Sequence, residues 1–231
     1  MTLLVRQGVL VADVGCDHAK LSIHLARKMQ NVGTNCVRPQ ICTDLSDGDR
    51  PFVGDLLLDG NRPRIIASEL NDAPLEKAHL AVEAAGMAGI IEVRQSDGLR
   101  AISADEADDI IIAGMGGELI ARIIGDAPAF HRADKRFILQ PMSRAEDLRR
   151  YLAGSGFGIL REVLVRENNR AFVIIYTAWD GEVRHFTEDE LYYGTHLSGD
   201  MPDEAAYLAR LRCIRDDILR ARSAGEHTVD E

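Results

Sequence analysis

The chain has 231 residues and a formal net charge of −10, with 37 acidic against 27 basic residues. Its 46% hydrophobic content is enough for one buried core with a small appendage. No apolar run reaches the roughly 18 residues of a membrane span, so no membrane association is expected. The acidic balance argues against a protein that coats nucleic acid non-specifically, but the clustered arginines leave room for a local basic face.

The four cysteines form no Cys-x-x-Cys pair and have no histidine partners at zinc spacing. We therefore expect reduced thiols in a cytoplasmic protein, and no metal site. The first residues, MTLLVRQGVLVAD, lack the basic start, long apolar stretch and cleavage site of a signal peptide. The chain begins almost directly in its first strand, so any helix before that strand is expected to be missing or very short.

Apolar runs alternate with helical patterns, which predicts an α/β fold with a mostly parallel sheet and helices on both faces. The predicted strands are Leu10–Val14, Arg64–Ser68, Ile90–Arg94, Asp109–Ala113 and Phe137–Gln140. The predicted helices between them are Ala19–Met29, Ala73–Ala85, Glu118–Ile124 and Ala145–Ser155. An antiparallel hairpin is predicted to follow, with Ile159–Arg166 and Ala171–Trp179 flanking a tight Asn-Asn turn.

The segment 31–63 exceeds the usual connection in such folds and is rich in Pro, Gly, Asp and Asn. We interpret it as a mobile insertion with a short strand at Gln40–Thr43. Alternatively, Gln40–Asp44 is itself the second strand. The stretch IIASELNDAPLEKA favours the first interpretation, because Asn71 and Asp72 can cap a helix whose first turn contains Pro74.

The composition becomes polar after Trp179, and Thr-Glu-Asp-Glu at Thr187 predicts a helix start. A second helix is predicted from Asp203 towards Ala221, with apolar residues spaced as in a coiled coil of about two heptads. So short a seam needs a neighbour, and the 187–197 segment is the expected one. The arginines on its other faces are either solvated and paired with nearby carboxylates or in contact with RNA.

The stretch LVADVGCDHAKL joins the first strand to the first helix with a single glycine, Gly15. Dinucleotide and phosphate loops use several glycines, because phosphates must approach bare backbone. Asp13 and Asp17 would repel a pyrophosphate but favour an ammonium or a sulfonium, and S-adenosylmethionine (SAM) carries both. His18 adds a further polar side chain. The alternative is an ordinary strand-to-helix turn with polar capping.

Two more carboxylates follow the next two strands. Glu69 comes directly after IIAS, where a cofactor ribose needs an acceptor for its hydroxyl groups. Asp97, in Ser-Asp-Gly after the third strand, is suited to accept from the amine of an adenine. Because carboxylates at the ends of three successive strands are hard to explain as packing, we expect an adenosyl ligand here, with Leu70 and Gly98 beside it.

The fourth strand ends in Ala113 and is followed by Gly-Met-Gly-Gly, Gly114 to Gly117. Three glycines in four residues predict a loop that allows close approach of the backbone to a ligand, followed by a helix N-terminus with free N–H groups. The carboxyl edge of an open α/β sheet is the usual binding crevice. Gln140-Pro141, at the end of the fifth strand, is predicted to direct a side-chain amide at the same crevice.

Taken together, VADVGCDHAKL, Glu69, SDGL, IIIAGMGG and LQP resemble the bacterial tRNA adenine N1-methyltransferase family called TrmK, which methylates adenine 22 of tRNA. The resemblance covers nearly the whole chain, and AGMGG with LQP is its most specific part. It implies a Rossmann-like class I SAM-dependent methyltransferase domain over residues 1–180 and a helical, coiled-coil-like segment over 181–231. It also implies a tRNA substrate, and we expect a monomer or weak dimer.

The resemblance implies roles for individual residues. The expected cofactor-binding residues are Asp13, Gly15, Asp17, His18, Glu69, Leu70, Asp97, Gly98, Ala113 and Gly114. The expected catalytic residues are Asp17, His18, Gly114, Met115 and Gln140. The chain departs from the family at Lys20, where similar members often carry a tyrosine, so a base-stacking role at that position is not expected.

The implied reaction is a direct displacement in which adenine N1 attacks the SAM methyl group, so that alignment matters more than a strong base. Two other functions remain open from sequence: methylation of a small molecule or protein, and SAM binding without catalysis. The absence of Gly-x-Gly-x-x-Gly argues against an NAD-dependent dehydrogenase.

Overall fold

The computed structural model describes residues 4–32, 64–167, 170–194 and 204–226. The strands are β1 Val11–Val14, β2 Ile65–Glu69, β3 Ile91–Gln95, β4 Asp109–Gly116, β5 Arg136–Ser143, β6 Phe157–Glu167 and β7 Arg170–Trp179. The helices are α1 Lys20–Val32, α2 Asp72–Ala84, α3 Gly117–Gly125, α4 Ala145–Gly154, α5 Glu188–Tyr193 and α6 Glu204–Glu226. Short 3₁₀ turns lie at Ala104–Glu106 and Pro128–Phe130.

The strands form a seven-stranded sheet in the order β3-β2-β1-β4-β5-β7-β6. β1 pairs in parallel with both β2 and β4, and β2 pairs in parallel with β3. β6 and β7 pair antiparallel, as the hairpin pattern predicts. All residues of β1 and the first four of β4 are buried, which explains why these strands read as continuous apolar runs.

The chain divides into two compact units, one of residues 1–113 with 123–138 and one of 114–122 with 139–231. In the first unit, residues 4–10 form turns rather than a helix before β1. Arg6 ties these turns to the start of β4: its Nε donates to Asp109 Oδ1 at 2.7 Å and its backbone N–H donates to Asp109 Oδ2 at 2.7 Å. Burial raises the pKa of Asp109, and the Arg6 guanidinium opposes that shift.

The second unit contains a fully buried ion pair. Arg149 of α4 donates from Nε to Glu162 Oε1 of β6 at 2.7 Å and from Nη1 to the Leu191 carbonyl of α5 at 2.7 Å. Both side chains are 0% exposed. Gly194 passes so close that a Cβ there would lie 2.4 Å from Glu162 Oε2. This pair therefore connects two helices and a strand by charge-assisted hydrogen bonds.

The two C-terminal helices, α5 and α6, are in contact with each other. Thr187 and Glu190 form a capping box at the start of α5. Arg215 of α6 bonds to Asp189 and, at 3.4 Å, to the hydroxyl of Tyr193, both on α5. Tyr207 of α6 is buried. α5 is therefore a neighbour of α6, as predicted, but these contacts are polar, and Ile214 of the predicted apolar seam is exposed.

Two predictions about β4 and the 31–63 segment have different outcomes. The predicted Gly114–Gly117 loop is wrong: β4 continues through Gly116, and Gly117 is the first residue of α3. Glycine ends the apolar pattern but not the backbone pairing, which needs no side chain. Asn31 and Val32, the first two residues of the predicted 31–63 insertion, instead end α1. The rest of the insertion with its Gln40–Thr43 strand, and the Asn168-Asn169 turn, lie outside the described residues; β2, Ile65–Glu69, pairs with β1.

Candidate active site

Asp13 lies at the carboxyl end of β1, enclosed by the protein. It is 3% exposed, and the Ser22 hydroxyl of α1 donates to its Oδ2 at 2.6 Å. Burial raises the pKa of Asp13 to about 6, against a smaller opposite effect of the Ser22 hydrogen bond. The carboxyl group therefore connects the strand to the following helix. The sequence analysis did not predict this role, because nothing in the pattern paired Ser22 with Asp13.

The loop after β1 has an unusual backbone. Gly15 has a φ of 71°, and two non-glycine residues, Asp17 and Ala19, also have positive φ, 51° and 53°. Left-handed backbone costs a residue with a Cβ about 1–2 kcal/mol. Aspartate tolerates it better than alanine, yet Ala19 is fully buried in that conformation. Backbone strain of this kind concentrates at binding sites.

Asp17 and His18 project from this strained loop. The Asp17 side chain is 69% exposed and His18 is half-buried, with its Nε2 at 3.6 Å from Asp17 Oδ1. Both groups are thus available to a ligand.

Glu69 ends β2 and turns its carboxylate towards the start of α2. Oε1 accepts hydrogen bonds from the backbone N–H groups of Leu70, at 3.0 Å, and Asn71, at 3.1 Å. Asn71, the N-cap of α2, makes no side-chain cap bond; its Nδ2 donates to Glu69 Oε1 instead, at 3.3 Å. Within the described residues all three bonds fall on one oxygen, so the carboxylate is oriented and Oε2 remains for a ligand. The Leu70 side chain is exposed.

Asp97 lies in the turn after β3. The Ser96 hydroxyl holds this turn by donating to the Gly98 carbonyl at 2.8 Å and accepting from the Ala101 N–H at 3.1 Å. Asp97 is half-exposed, and its Oδ2 lies 2.8 Å from Arg100 Nη1. Sequence reasoning missed Arg100, a cation that would share Asp97 with any ligand.

The three strand ends are connected directly. The Gly15 N–H donates to the Ser68 carbonyl at 2.8 Å, and the Ser96 N–H donates to the Glu69 carbonyl at 3.0 Å. Burial, followed by the negative charges of Asp13 and Glu69, raises the pKa of the Cys16 thiol to about 12. Asp13 and Glu69 are therefore both within electrostatic reach of the same buried thiol. The structure brings together the β1, β2 and β3 ends that the sequence assigned to one ligand.

In the second unit, Gly114 and Gln140 are in contact. The Gly114 N–H donates to Gln140 Oε1 at 3.0 Å. Gln140 Nε2 donates to the Pro141 carbonyl at 3.2 Å and lies 3.3 Å from Met142 Sδ. Gly114 has a φ of 78°, and in the part of the chain that the structure describes a Cβ there would meet no atom within 4 Å beyond its own chain neighbours. Met115 is half-buried and Ala113, which belongs to the first unit, is also half-buried.

The glycines of the 114–117 segment differ in why a glycine is needed at each position. A Cβ on Gly117 would lie 2.1 Å from the Arg144 carbonyl oxygen, so glycine is required there by packing of the chain against itself. On Gly116 it would make only an ordinary 3.5 Å contact with Ser143 Oγ. Packing alone therefore accounts for the glycine at position 117, whereas at Gly114 the prediction of ligand approach stays a prediction.

Within the part of the chain that the structure describes, no group of three or more His, Cys, Asp or Glu side chains is arranged to hold a metal ion. Within that same part, no helix combines the length and apolar character needed to cross a membrane.

Comparison with known proteins adds family evidence to this geometry. The sequence model of the family TrmK, tRNA (adenine(22)-N(1))-methyltransferase, matches residues 54–213. The tRNA (adenine(22)-N(1))-methyltransferase of Bacillus subtilis is 31% identical over 180 residues, which cover 78% of this chain and 73% of that protein.

Solved structures agree with the sequence comparison. The crystal structure of Bacillus subtilis m1A22 tRNA methyltransferase TrmK has a TM-score of 0.66 at 25% identity, covering 99% of this chain and 84% of that one. A Streptococcus pneumoniae protein solved in complex with S-adenosyl-L-methionine has a TM-score of 0.68 at 27% identity, covering 95% of this chain and 87% of that one. By its matched length and its curated relative, the chain belongs to the TrmK family of tRNA (adenine(22)-N(1))-methyltransferases.

Proposed function

We propose that this protein transfers the methyl group of SAM to N1 of adenine 22 in tRNA. The observation that carries the proposal is the set of carboxylates at the ends of β1, β2 and β3, in a chain of the TrmK family. Parallel strands that pair in register end at the same edge of a sheet, which is where open α/β folds bind their ligands.

Each carboxylate suits one part of the methyl donor. Glu69, held by the backbone at Oε1, offers Oε2 to the ribose hydroxyl groups. Asp97 accepts from the amine of the adenine ring, with Arg100 sharing its charge. Asp17 and the buried Asp13 supply negative charge for the ammonium and sulfonium, and Gly15, His18, Leu70, Gly98, Ala113 and Gly114 complete the set.

The chemistry moves one methyl group and one positive charge. The N1 lone pair forms the new N–C bond while the S–C bond breaks, so the sulfonium becomes a neutral thioether and the adenine becomes cationic. Because the sulfonium is already activated, the work of the protein is to align the base and exclude water. We assign that work to the Gly114–Met115 backbone and Gln140, and we propose Asp17 and His18 as further catalytic residues.

We also propose a role for each of the two parts of the chain. Residues 1–180 form the catalytic domain, and 181–231 form a helical segment whose arginines contact tRNA. The protein works in the cytoplasm as a monomer or weak dimer. Its net charge of −10 makes such local arginine contacts necessary, because the protein as a whole repels a polyanion.

Incubation of the purified protein with methyl-labelled SAM and a tRNA transcript tests the proposal. We expect 1-methyladenosine at position 22, identified by mass spectrometry of digested fragments, and no label in a matched transcript with guanine at that position. Label at another nucleotide, or label in both transcripts, would contradict the assigned base. Label in a small molecule or protein only would favour the other methyltransferase function.

A further inference from the structure

The side-chain amide of Gln140 is held in one orientation. Its Oε1 accepts the Gly114 N–H at 3.0 Å, and its Nε2 donates to the Pro141 carbonyl at 3.2 Å. A backbone donor on one side and a backbone acceptor on the other decide which end of the amide is oxygen and which is nitrogen. Gln140 therefore presents a fixed pattern of one acceptor and one donor.

The amide has hydrogen-bonding capacity left. A glutamine oxygen accepts two hydrogen bonds and its nitrogen donates two. Gly114 and Pro141 use one of each. Within the described residues, the neighbour of the second N–H is Met142 Sδ at 3.3 Å, and a thioether is a weak acceptor. A ligand with a stronger acceptor beside a donor would satisfy both remaining positions.

The space beside this amide is open to a ligand. Gly114 is exposed, and among the described residues, its two chain neighbours aside, no atom lies within 4 Å of the point where a Cβ would stand. Glycine is retained here for its φ of 78° rather than for lack of room. A flat group can thus approach the backbone that also fixes Gln140.

Adenine carries the matching pattern on the edge away from the reacting nitrogen. Methylation requires the N1 lone pair to be free, so recognition has to use other atoms of the base. The N6 amine is a donor and N7 is an acceptor, and a glutamine amide pairs with these two atoms in a bidentate manner. Guanine has an acceptor, O6, in place of the N6 amine, and that oxygen would oppose the amide oxygen.

We propose that Gln140 selects the target adenine: its Oε1 accepts from the N6 amine and its Nε2 donates to N7, which leaves N1 free to attack. This inference rests on the proposed function and deepens it, because it names the atoms by which the base is recognised. Gly114 acts through Gln140, by holding the amide oxygen in place.

A change of one atom in the substrate tests this pairing. A tRNA assembled with 7-deazaadenosine at position 22 keeps N1 and N6 but lacks the N7 acceptor. We compare kcat/KM for adenosine and 7-deazaadenosine tRNA in the wild type and in Gln140→Glu. The glutamate side chain still accepts from the Gly114 N–H and from N6, but its carboxylate has no hydrogen to donate to N7 or to the Pro141 carbonyl.

The ratio of kcat/KM for adenosine over 7-deazaadenosine tRNA is expected to be roughly tenfold larger for the wild type than for Gln140→Glu, the usual size of one lost hydrogen bond. Any difference in the intrinsic reactivity of the two bases is the same for both enzymes and cancels. Gln140→Leu, which removes donor and acceptor together, is expected to have the same small ratio as Gln140→Glu.

Equal ratios in the wild type and both variants would overturn the inference. The matched control is Gln30→Glu, on the exposed side of α1, which must keep the wild-type ratio. Methylation of the unmodified tRNA by the wild type reports on the proposed function separately, so the two proposals can fail independently.

Discussion

Glu69 combines a structural task with the ligand task that we assign to it. Its Oε1 satisfies two backbone N–H groups at the start of α2, where a helix has donors without intrahelical partners. The same bonds restrict the carboxylate to one orientation before a ligand arrives. A ribose then meets a group whose conformational entropy has already been lost, which favours binding.

Substitution of Glu69 by glutamine separates these two tasks. The amide oxygen can still accept from the Leu70 and Asn71 N–H groups, so the fold is expected to be retained. An amide that faces a ribose offers a neutral acceptor or a donor in place of a carboxylate, and SAM affinity is expected to fall at least tenfold in calorimetry. Glu76→Gln, the same change on the exposed side of α2, is the control. Unchanged affinity in Glu69→Gln would refute the assigned ribose contact.

The α3 helix depends on close approach of two backbone segments. Gly117 begins α3 where the Arg144 carbonyl leaves no room for a side chain, and Arg144 itself has a φ of 58° at the N-cap of α4. One function of the glycine-rich segment is therefore to let the start of α3 pack closely against the start of α4. The Gly114 end, which has open space, is the part that remains for a ligand.

Gly117→Ala tests the packing role directly. The new methyl group would stand 2.1 Å from the Arg144 oxygen, so backbone has to move, and we expect a loss of about 1–3 kcal/mol in the free energy of unfolding. Gly154→Ala is the matched control at the end of α4, where a Cβ meets no atom of another described segment within 4 Å. That control is expected to be neutral or slightly stabilising. Thermal or urea unfolding of both variants measures the difference, and equal stability of the two would contradict the packing role.

At the scale of the whole molecule, buried carboxyl groups link stability to pH. Burial raises the pKa of Asp13 from 3.8 to about 6. Between those values the unfolded chain loses a proton that the folded protein keeps. The stabilising contribution is therefore complete below about pH 4 and is lost as pH rises through about 6. Asp109 is shifted in the same direction, also by burial.

Asp13→Asn removes the titrating group and with it this part of the pH dependence. Between pH 4 and pH 7 the wild type loses this stabilisation and Asp13→Asn does not, so the free energy of unfolding of Asp13→Asn minus that of the wild type is expected to increase by up to about 3 kcal/mol. Urea unfolding of both proteins across this range measures the change, with Asp72→Asn, an exposed carboxylate on α2, as the control. Parallel stability curves for wild type and Asp13→Asn would contradict the raised pKa.

The sequence predicts the sheet, the hairpin and the ends of β1, β2 and β3 well because each depends on a local apolar or turn pattern. Thr187 and its capping box are local in the same way. By contrast, the Ser22 bond to Asp13 and the Gln140 bond to Gly114 join elements through three-dimensional contact, which a one-dimensional pattern does not encode. The sequence placed the end of β4 too early because glycine carries no side-chain signal, although its backbone still forms part of the strand. It also placed the end of β5 too early, at Gln140, because Pro141 is typical of a turn; the strand continues to Ser143.

The buried Arg149–Glu162 pair has a consequence for how this protein can change over time. Substitution of one partner alone would leave the charge of the other buried without its counter-ion, at a cost of about 3–5 kcal/mol in stability. Replacement of both by well-packed apolar residues often leaves the stability unchanged or increases it. Single substitutions at either position are therefore disfavoured, and both residues have to be replaced together. We therefore expect positions 149 and 162 to covary among homologues, with either an ion pair or an apolar pair at the two positions.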